Sequence, residues 1–282
     1  MAFSVRVQNK AFTFESVKQI LAYANEKKSG DTLAGVAARG DLERIAAKIA
    51  LADMPLSLLR ENPVIPYETD EITRMDQDAL SLPVYEEIKG MCVGEMREHL
   101  LSYETTEADI RRLSRGMTAE MIAALAKIMS NLDLIYCANK VRVTAHCNTT
   151  IGRRGTLATR LQPNHPVDDV EGITASLFEG LSYGCGDALI GLNPVRDSVG
   201  SLVEVLKRFD DVRHRFEIPT QICILGHIDT QIKAVRSGAP TDLIFQSIAG
   251  SEKGNAAFGF CVDTVREALA LLRTRGTGTG PN

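Results

Sequence analysis

The pattern that constrains the fold most is a repeated alternation of short apolar runs and amphipathic helices after Lys140. The runs are TLATRL, DALIGLN, TQICILGH and DLIFQSI, which begin at Thr156, Asp187, Thr220 and Asp242. Apolar residues at helical spacing follow each run, and the runs start about 20 to 33 residues apart. This arrangement is typical of buried parallel strands joined by right-handed crossover helices. The sequence therefore predicts an α/β fold with four strand–helix units in this half.

The helices predicted between these strands carry recognisable boundary signals. Asp168 and Asp169 precede the first helix, and Ser198 begins the second. The third ends at Gly238, and the last is expected to run without interruption from about Asn255.

The first 135 residues carry a different pattern, in which helices dominate. Alternating apolar residues predict a small hairpin at 3–14, and from Ser16 the apolar period becomes helical. Pro63 and Pro66 predict a loop at 62–67. Thr118 is expected to cap one longer helix whose apolar face extends to Leu132. We therefore predict a helical N-terminal region over residues 1–135 with no visible chemistry of its own.

Composition and charge argue against several classes of protein. The chain has 282 residues, and its 44% hydrophobic and 24% charged content is ordinary for a globular protein. A net charge of -4 without a basic stripe argues against nucleic acid as a partner. The six cysteines include no C-x-x-C pair, which favours reduced thiols in the cytoplasm. We also expect a soluble protein, because the sequence shows no signal-peptide run and no apolar window of roughly 18 residues.

Polar residues lie at the carboxyl end of each predicted strand, where parallel α/β proteins place their functional groups. They are, in chain order, Arg160 with Gln162, Asn193 with Pro194, Gly226 with His227, and Gln246 with Ser247. A cation and an amide on one side of the first strand suggest a small polar substrate. Pro194 holds Asn193 in an extended conformation, so the Asn193 amide is expected to project from the strand end.

Each of these residues also has a structural alternative. Arg160 could lie on an ordinary surface strand, Asn193 could form a turn, His227 could be a hydrogen-bonded core histidine, and Gln246 could be a capping amide. The loop at 250–254 could bind an anion through its backbone N–H groups, but it lacks the glycine spacing of phosphate loops. Scattered His and Cys residues suggest no metal site, and no nucleophile triad can be argued. Chemistry by a metal or a side-chain nucleophile therefore has little support, which leaves room for a cofactor.

Long blocks of the sequence resemble one known family. They are TTIGRRGTLATRLQPN, YGCGDALIGLNPV, IPTQICILGHIDTQIKAVRSGAP and LIFQSIAGSEKG, with SGDTLAGVAA, ENPVIPYE and KIMSNLDLIY before them. These blocks closely resemble the large (heavy) subunit of ethanolamine ammonia-lyase, from near the N-terminus to about Phe258. The resemblance implies a helical N-terminal region followed by a TIM (β/α)8 barrel, of which residues 136–272 would be the first half.

The resemblance also implies a function. The family uses adenosylcobalamin (coenzyme B12), held between large and small subunits, to convert ethanolamine to acetaldehyde and ammonia. The implied steps are cobalt–carbon homolysis, hydrogen abstraction from the hydroxyl-bearing carbon, amino migration and loss of ammonia. We therefore expect a carbon–nitrogen lyase of ethanolamine degradation in a hetero-oligomer with the small (light) subunit. Its expected location is the cytoplasm, including a bacterial microcompartment.

Position by position, the resemblance implies which residues bind which ligand. Arg160 and Asn193 match positions that hold the substrate hydroxyl, and Gln162 matches one that accepts a hydrogen bond from the substrate ammonium group. Pro194 and Gln246 match positions that line the cobalamin site.

The sequence departs from the family at its C-terminal end. The family's large subunit continues through four more strand–helix units, whose strands supply a glutamate and an aspartate to the ammonium group. Here the chain ends in LRTRGTGTGPN, and residues 273–282 are expected to be a disordered Gly/Thr-rich tail. We therefore expect a truncated large subunit that is inactive alone. The alternative is a non-catalytic fragment that keeps only oligomer or small-subunit assembly contacts.

Overall fold

The computed structural model describes residues 2–278, and the chain divides into two compact units, residues 1–141 and 142–282. Each unit is built around buried apolar residues of its own. No helix within residues 2–278 is both long enough and apolar enough to cross a membrane.

The N-terminal unit begins with an antiparallel hairpin and continues as a series of short helices. Strands β1 (Phe3–Val7) and β2 (Lys10–Phe14) pair with Phe3 opposite Phe14, so the predicted hairpin is confirmed. The helices that follow are α1 (Val17–Tyr23), α2 (Ser29–Leu33), α3 (Asp41–Ala52), α4 (Leu56–Glu61), α5 (Glu71–Asp78), α6 (Leu82–Ile88), α7 (Val93–Leu101), α8 (Glu107–Ser114), α9 (Ala119–Ile128) and α10 (Asn131–Lys140). A 3-10 turn at Tyr67–Thr69 follows the predicted proline loop.

Apolar positions at helical spacing build the core of this unit. Fully buried side chains include Phe14, Ile20, Leu51, Leu56, Leu59, Met96 and Met121. Each such side chain contributes on the order of 1.5 to 3 kcal/mol through burial. Side-chain caps fix several helix starts, since the Ser16 hydroxyl accepts the N–H of Gln19 at 3.1 Å and Thr118 accepts that of Met121 at 3.4 Å.

The single helix predicted over 118–132 is wrong, because two helices occupy this stretch. Helix α9 ends at Ile128, and Met129 has extended backbone angles. Ser130 then begins α10: its hydroxyl accepts the N–H of Asp133 at 3.2 Å, and the Asp133 carboxylate accepts the N–H of Ser130 at 2.9 Å. This reciprocal pair is a capping box. Apolar residues continue across the break, so their periodicity does not reveal it.

The C-terminal unit contains a short hairpin and a parallel sheet. The hairpin pairs β3 (Ala145–His146) with β4 (Thr150–Ile151), and the sheet has the order β5 (Arg160–Leu161), β6 (Leu189–Leu192), β7 (Ile222–Ile224). Its helices are α11 (Val170–Ser182), α12 (Val199–Arg215), α13 (Ile228–Arg236), α14 (Glu252–Ala257) and α15 (Val262–Arg275). Asp169 and Ser198 cap α11 and α12, as the sequence predicts. The described strands form an open sheet and not a closed barrel.

Two of the four predicted strands need correction. Only the last two residues of TLATRL lie in β5. The fourth strand, predicted at 242–248, is wrong, because this segment forms no ladder. Its Asp242 N–H reaches Ile222 O at 3.1 Å, but farther along the Gln231 side chain takes both backbone groups of Phe245, at 2.6 and 3.2 Å. A side-chain amide therefore replaces the expected strand partner.

The last predicted helix is also two helices. Gly259 separates α14 from α15 with a φ of 82°, a left-handed conformation that glycine adopts without a steric penalty. Helix α15 reaches Arg275, three residues into the predicted tail. Next to it, the N–H of Thr277 donates to Thr241 O at 2.9 Å. Residues 279–282 of the predicted tail lie outside the described part of the chain.

The sheet has one face packed against helices. Ile190, Leu192, Ile222 and Ile224 are buried there with Phe209 of α12. Because side chains alternate along a strand, the residues between them project from the opposite face, called the open face below, on which Gly191 and Cys223 are themselves buried.

Candidate functional site

Three of the predicted site residues lie at the carboxyl ends of two neighbouring parallel strands, β5 and β6. Leu161 packs toward the helices, so Arg160, which precedes it in β5, projects the other way. Gln162 directly follows β5, and Asn193 directly follows β6. The sheet therefore places the cation and the two amides predicted as a site at the same edge.

Arg160 is exposed and has an aromatic neighbour. Its guanidinium carbon lies 5.8 Å from the ring centroid of Phe245, in cation–π range. Among the described residues, no hydrogen-bond acceptor contacts the Arg160 side chain. Cys223, which is 1% exposed, lies within electrostatic reach. Burial raises the pKa of the Cys223 thiol to about 11, and the charge of Arg160 opposes that rise.

The amides of Gln162 and Asn193 are exposed, and neither side chain makes a hydrogen bond within residues 2–278. Their backbones are held firmly. The N–H of Asn164 donates to Gln162 O at 2.8 Å, and the Asn164 side-chain oxygen accepts the N–H of Asn193 at 3.0 Å. Both amides therefore keep their hydrogen-bonding capacity, while hydrogen bonds hold the backbones that carry them.

Gln246 behaves differently from the other two amides. Its Oε1 accepts the N–H of Ile228 at 3.1 Å, at the start of α13, and its Nε2 donates to the neighbouring Ser247 O at 3.1 Å. This geometry agrees with the capping-amide alternative. Pro194 is half-buried, and Ser247 is exposed.

His227 is a satisfied histidine, although it is only partly buried. It caps α13, where its Nδ1 accepts the N–H of Asp229 at 3.3 Å. Its Nε2 lies 2.8 Å from Phe258 O and donates to it in the matching neutral tautomer. Both ring nitrogens are thus engaged within the chain.

The glycine-containing loop at 250–254 begins the short helix α14. The Ser251 hydroxyl caps that helix and accepts the N–H of Gly254 at 3.2 Å. One of the N–H groups considered for anion binding is therefore already paired. Within the described residues, no group of three or more His, Cys, Asp or Glu is arranged to hold a metal ion.

Residues that sequence reasoning missed connect the loops at the carboxyl edge, the end of the sheet where β5, β6 and β7 finish. Asp168, in the loop after β5, accepts the N–H groups of Val195 and Arg196 at 2.9 and 2.7 Å. Asp197, in the loop after β6, accepts that of His227 at 2.9 Å. No sequence signal separates these carboxylates from ordinary loop residues, because their partners lie about 30 positions away.

The amino edge, where the strands begin, has a different character. Asp242 is buried, pairs with the Arg213 guanidinium, and accepts the N–H of Ile222 at 2.8 Å. Gln221, also buried, accepts the N–H groups of Asn148 and Thr149, both at 3.1 Å. These side chains are occupied by structural contacts.

Apolar side chains accompany the polar ones on the carboxyl-edge loops. Val195 follows Pro194, and Phe245 and Ile248 flank Gln246 and Ser247; all three apolar side chains are exposed. Polar groups beside exposed apolar surface are a combination typical of sites for organic ligands.

Comparison with known proteins identifies one group of relatives. The model of the family described as ethanolamine ammonia lyase large subunit matches residues 12–282. The ethanolamine ammonia-lyase large subunit of Escherichia coli strain K12 is 49% identical over 271 residues, which cover 96% of this chain and 60% of that protein. The large subunit of Salmonella typhimurium gives the same identity and coverage. The chain thus spans about 60% of the length of the curated relatives it matches.

Proposed function

The chain belongs to the ethanolamine ammonia-lyase large-subunit family, and from this premise we propose that its carboxyl edge binds ethanolamine and adenosylcobalamin in a carbon–nitrogen lyase. The reaction is the radical conversion of ethanolamine to acetaldehyde and ammonia. The observation that carries the proposal is the set of exposed side chains without hydrogen bonds at the carboxyl ends of β5 and β6, those of Arg160, Gln162 and Asn193.

These three side chains complement the two ends of ethanolamine. The Arg160 guanidinium and the Asn193 amide N–H groups donate to the hydroxyl oxygen, and the Gln162 carbonyl oxygen accepts from the ammonium group. Arg160 stabilises negative charge that develops on the oxygen during the rearrangement. Because the backbones of Gln162 and Asn193 are anchored through Asn164, little ordering is needed when the substrate binds.

The residues on the neighbouring loops fit a large organic cofactor. Pro194 and Gln246 line the cofactor side of the site, next to the exposed apolar side chains of Val195, Phe245 and Ile248. The Nε2 of Gln246 bonds only to an adjacent carbonyl, a contact that a ligand can replace. Adenosylcobalamin, when bound, supplies the radical chemistry that no side chain provides.

We propose further that the three-stranded sheet belongs to a (β/α)8 barrel, with residues 1–135 as the helical N-terminal region. Its parallel strands with helices on one face support this fold, and a complete barrel needs about 250 residues. The partner is the small subunit, in a hetero-oligomer. The six free cysteines support a cytoplasmic location, within which a microcompartment is the proposed site.

A second candidate function is assembly without catalysis. It is favoured by α10 in the N-terminal unit, where Leu132 is 74% and Ile135 65% exposed and no residue of the helix is buried. Such a helix suits contacts with another large or small subunit.

The test combines binding with turnover. The 282-residue chain is mixed with the small subunit and adenosylcobalamin, and acetaldehyde release and ethanolamine binding are both measured. Ethanolamine binding that weakens in Arg160→Ala supports the proposed site. Stable binding of the small subunit without any ethanolamine binding favours the assembly function instead.

A further inference from the structure

The geometry points to Asp168 as a positioning residue, whose carboxylate fixes the loop at 193–196 so that Asn193 is held ready for the substrate. The inference rests on the proposed function, because Asn193 is a ligand-binding residue only there. The Asp168 carboxylate binds the backbone N–H groups of Val195 and Arg196. It acts through the backbone that carries Asn193 and Pro194.

Both oxygens of the buried Asp168 carboxylate accept hydrogen bonds from the loop at 193–196. Asp168 is 5% exposed, and its Oδ1 accepts the N–H of Val195 at 2.9 Å while its Oδ2 accepts the N–H of Arg196 at 2.7 Å. Hydrogen bonds to an ionised acceptor are shorter and stronger than neutral ones. One side chain therefore satisfies two consecutive N–H groups of the next loop.

The backbone of Asp168 is unusual in a way that supports this role. Its φ is 54°, in the left-handed region that residues other than glycine adopt at a cost. The next residue, Asp169, caps α11 by accepting the N–H of Gly172 at 2.8 Å. The carboxylate of Asp168 is thus attached to the start of a rigid helix, from which it reaches the loop after β6.

The loop at 193–196 is anchored at every backbone donor it has. Asn164 accepts the N–H of Asn193 at 3.0 Å, Pro194 has no N–H, and Asp168 accepts those of Val195 and Arg196. All these acceptors come from the loop after β5. Releasing the Asp168 end would leave Asn193 held at one point only, so its amide would have to be ordered when the ligand binds.

The test compares the 282-residue chain with three variants, all in complex with the small subunit. Asp168→Asn keeps one acceptor and tolerates the left-handed backbone, whereas Asp168→Gly relieves the backbone but removes both acceptors. Asp169→Asn is the matched control, because asparagine still caps α11 and the residue does not contact the loop at 193–196. Circular dichroism checks that each variant is folded.

Two measurements are made on each protein: the Kd for ethanolamine by titration calorimetry, and amide hydrogen exchange at Val195 and Arg196. We expect Asp168→Asn to weaken binding about tenfold and Asp168→Gly to weaken it further, with faster exchange at both amides in the same order. With adenosylcobalamin added, KM should rise more than kcat falls, because the lost interaction orders the substrate before the reaction. Asp169→Asn should match the wild type.

Each contrary outcome has a definite meaning. Unchanged exchange at Val195 and Arg196 overturns the anchor, and faster exchange with an unchanged Kd overturns its role in positioning Asn193. Equal weakening by Asp169→Asn also overturns it, because the effect would then be general loosening near α11. If the wild-type complex does not bind ethanolamine, the proposed function is wrong. The hydrogen-exchange measurement still tests the Asp168 contact in that case, because it does not require ethanolamine.

Discussion

At the amino edge of the sheet Asp242 and Gln221 are buried and hydrogen-bonded, whereas at the carboxyl edge the side chains of Arg160, Gln162 and Asn193 are exposed and make no hydrogen bond within residues 2–278. Asp242 represents the first group, with contacts to Arg213 and to the Ile222 backbone. Arg160 represents the second, with an aromatic ring as its main neighbour. The same sheet thus carries polar groups used for stability at one end and polar groups left available at the other.

The contrast between the two edges separates groups that stabilise the fold from groups that can bind a ligand. A buried charge requires a partner, and a partner makes the group unavailable to a ligand. An exposed group costs little stability and keeps its hydrogen-bonding capacity. Substitutions of the buried residues at the amino edge should therefore change the free energy of unfolding, whereas substitutions of the exposed residues at the carboxyl edge should change ligand affinity.

The largest effect is expected from Asp242→Ala. The change leaves the Arg213 guanidinium buried with only Asp210, at 2.5 Å, as an anionic partner, and it removes the acceptor for Ile222 N–H. We expect a loss of about 3 to 5 kcal/mol in the free energy of unfolding, measured by urea denaturation of the C-terminal unit. Asp263→Ala, which breaks an exposed pair with Arg266, is the control and should change little. Similar losses in both variants would contradict the contrast between buried and exposed charges.

The next effect is a loss of stability at alkaline pH that originates at Cys223. Burial raises the pKa of this thiol from 9.0 to about 11, so the folded chain holds the proton more tightly than the unfolded chain. The corresponding stability is complete below pH 9 and is lost as the pH rises toward 11. The total is about 3 kcal/mol, from the two-unit shift at 1.36 kcal/mol per unit.

The measurement is the difference between wild-type and Cys223→Ala unfolding free energies across that pH range, which cancels the titration of other groups. If this difference in unfolding free energy stays constant from pH 9 to 11, burial does not raise the pKa of the Cys223 thiol in the folded chain.

Arg160→Ala should affect binding and leave stability nearly unchanged. Loss of a charged hydrogen bond weakens ethanolamine binding about 10- to 100-fold, whereas the exposed cation–π contact with Phe245 is worth about 0.5 to 1 kcal/mol. Calorimetric titration and urea denaturation measure the two quantities. Arg208→Ala, on the exposed side of α12, is the matched control. The contrast between the two edges is contradicted if Arg160→Ala lowers the unfolding free energy as much as Asp242→Ala does and leaves the affinity for ethanolamine unchanged.

The smallest effect is expected from Gly191→Ala, on the open face between the two edges. A Cβ at this position would lie 2.8 Å from the Cys223 sulfur and 3.0 Å from the Cys223 carbonyl oxygen. We expect a cost of about 1 to 2 kcal/mol in unfolding free energy, because the neighbour must shift. The double variant with Cys223→Ala should recover part of it. If the losses of unfolding free energy in the two single variants simply add in the double variant, the Cys223 sulfur is not the atom that a Cβ at position 191 would displace.

Local signals in the sequence predicted the hairpin at 3–14, the caps of α11 and α12, and the side of β5 from which Arg160 projects. Helix α12 begins after Ser198 and α11 after Asp169, because these caps act on N–H groups only three residues away. The strand face of Arg160 followed from simple alternation with Leu161. Both partners of each of these caps lie in the same short window of the sequence, which is why the caps could be predicted.

Two predicted helices failed at local breaks, the capping box of Ser130 and Asp133 and the left-handed Gly259, whereas the failed strand involves a partner farther along the chain. The segment at 242–248 has the composition of a strand, but the Gln231 side chain binds the backbone of Phe245 and the ladder does not form. The capping of α13 by the Gln246 side chain, through the N–H of Ile228, is a second such contact, and the cofactor role of Gln246 stays a prediction. Neither contact leaves a pattern in the local sequence.

By itself the sequence determined the alternation of strands and helices, the caps, the family, and the residue types available for binding. Tertiary structure alone decided which polar side chains are occupied and which remain available. The physical reason is that a hydrogen bond is satisfied by whatever group folding brings within about 3 Å, and that group is often tens of residues away. Asp168 and Arg160 are both ordinary charged loop or strand residues in the sequence. Only the fold makes one an internal anchor and leaves the other free for a ligand.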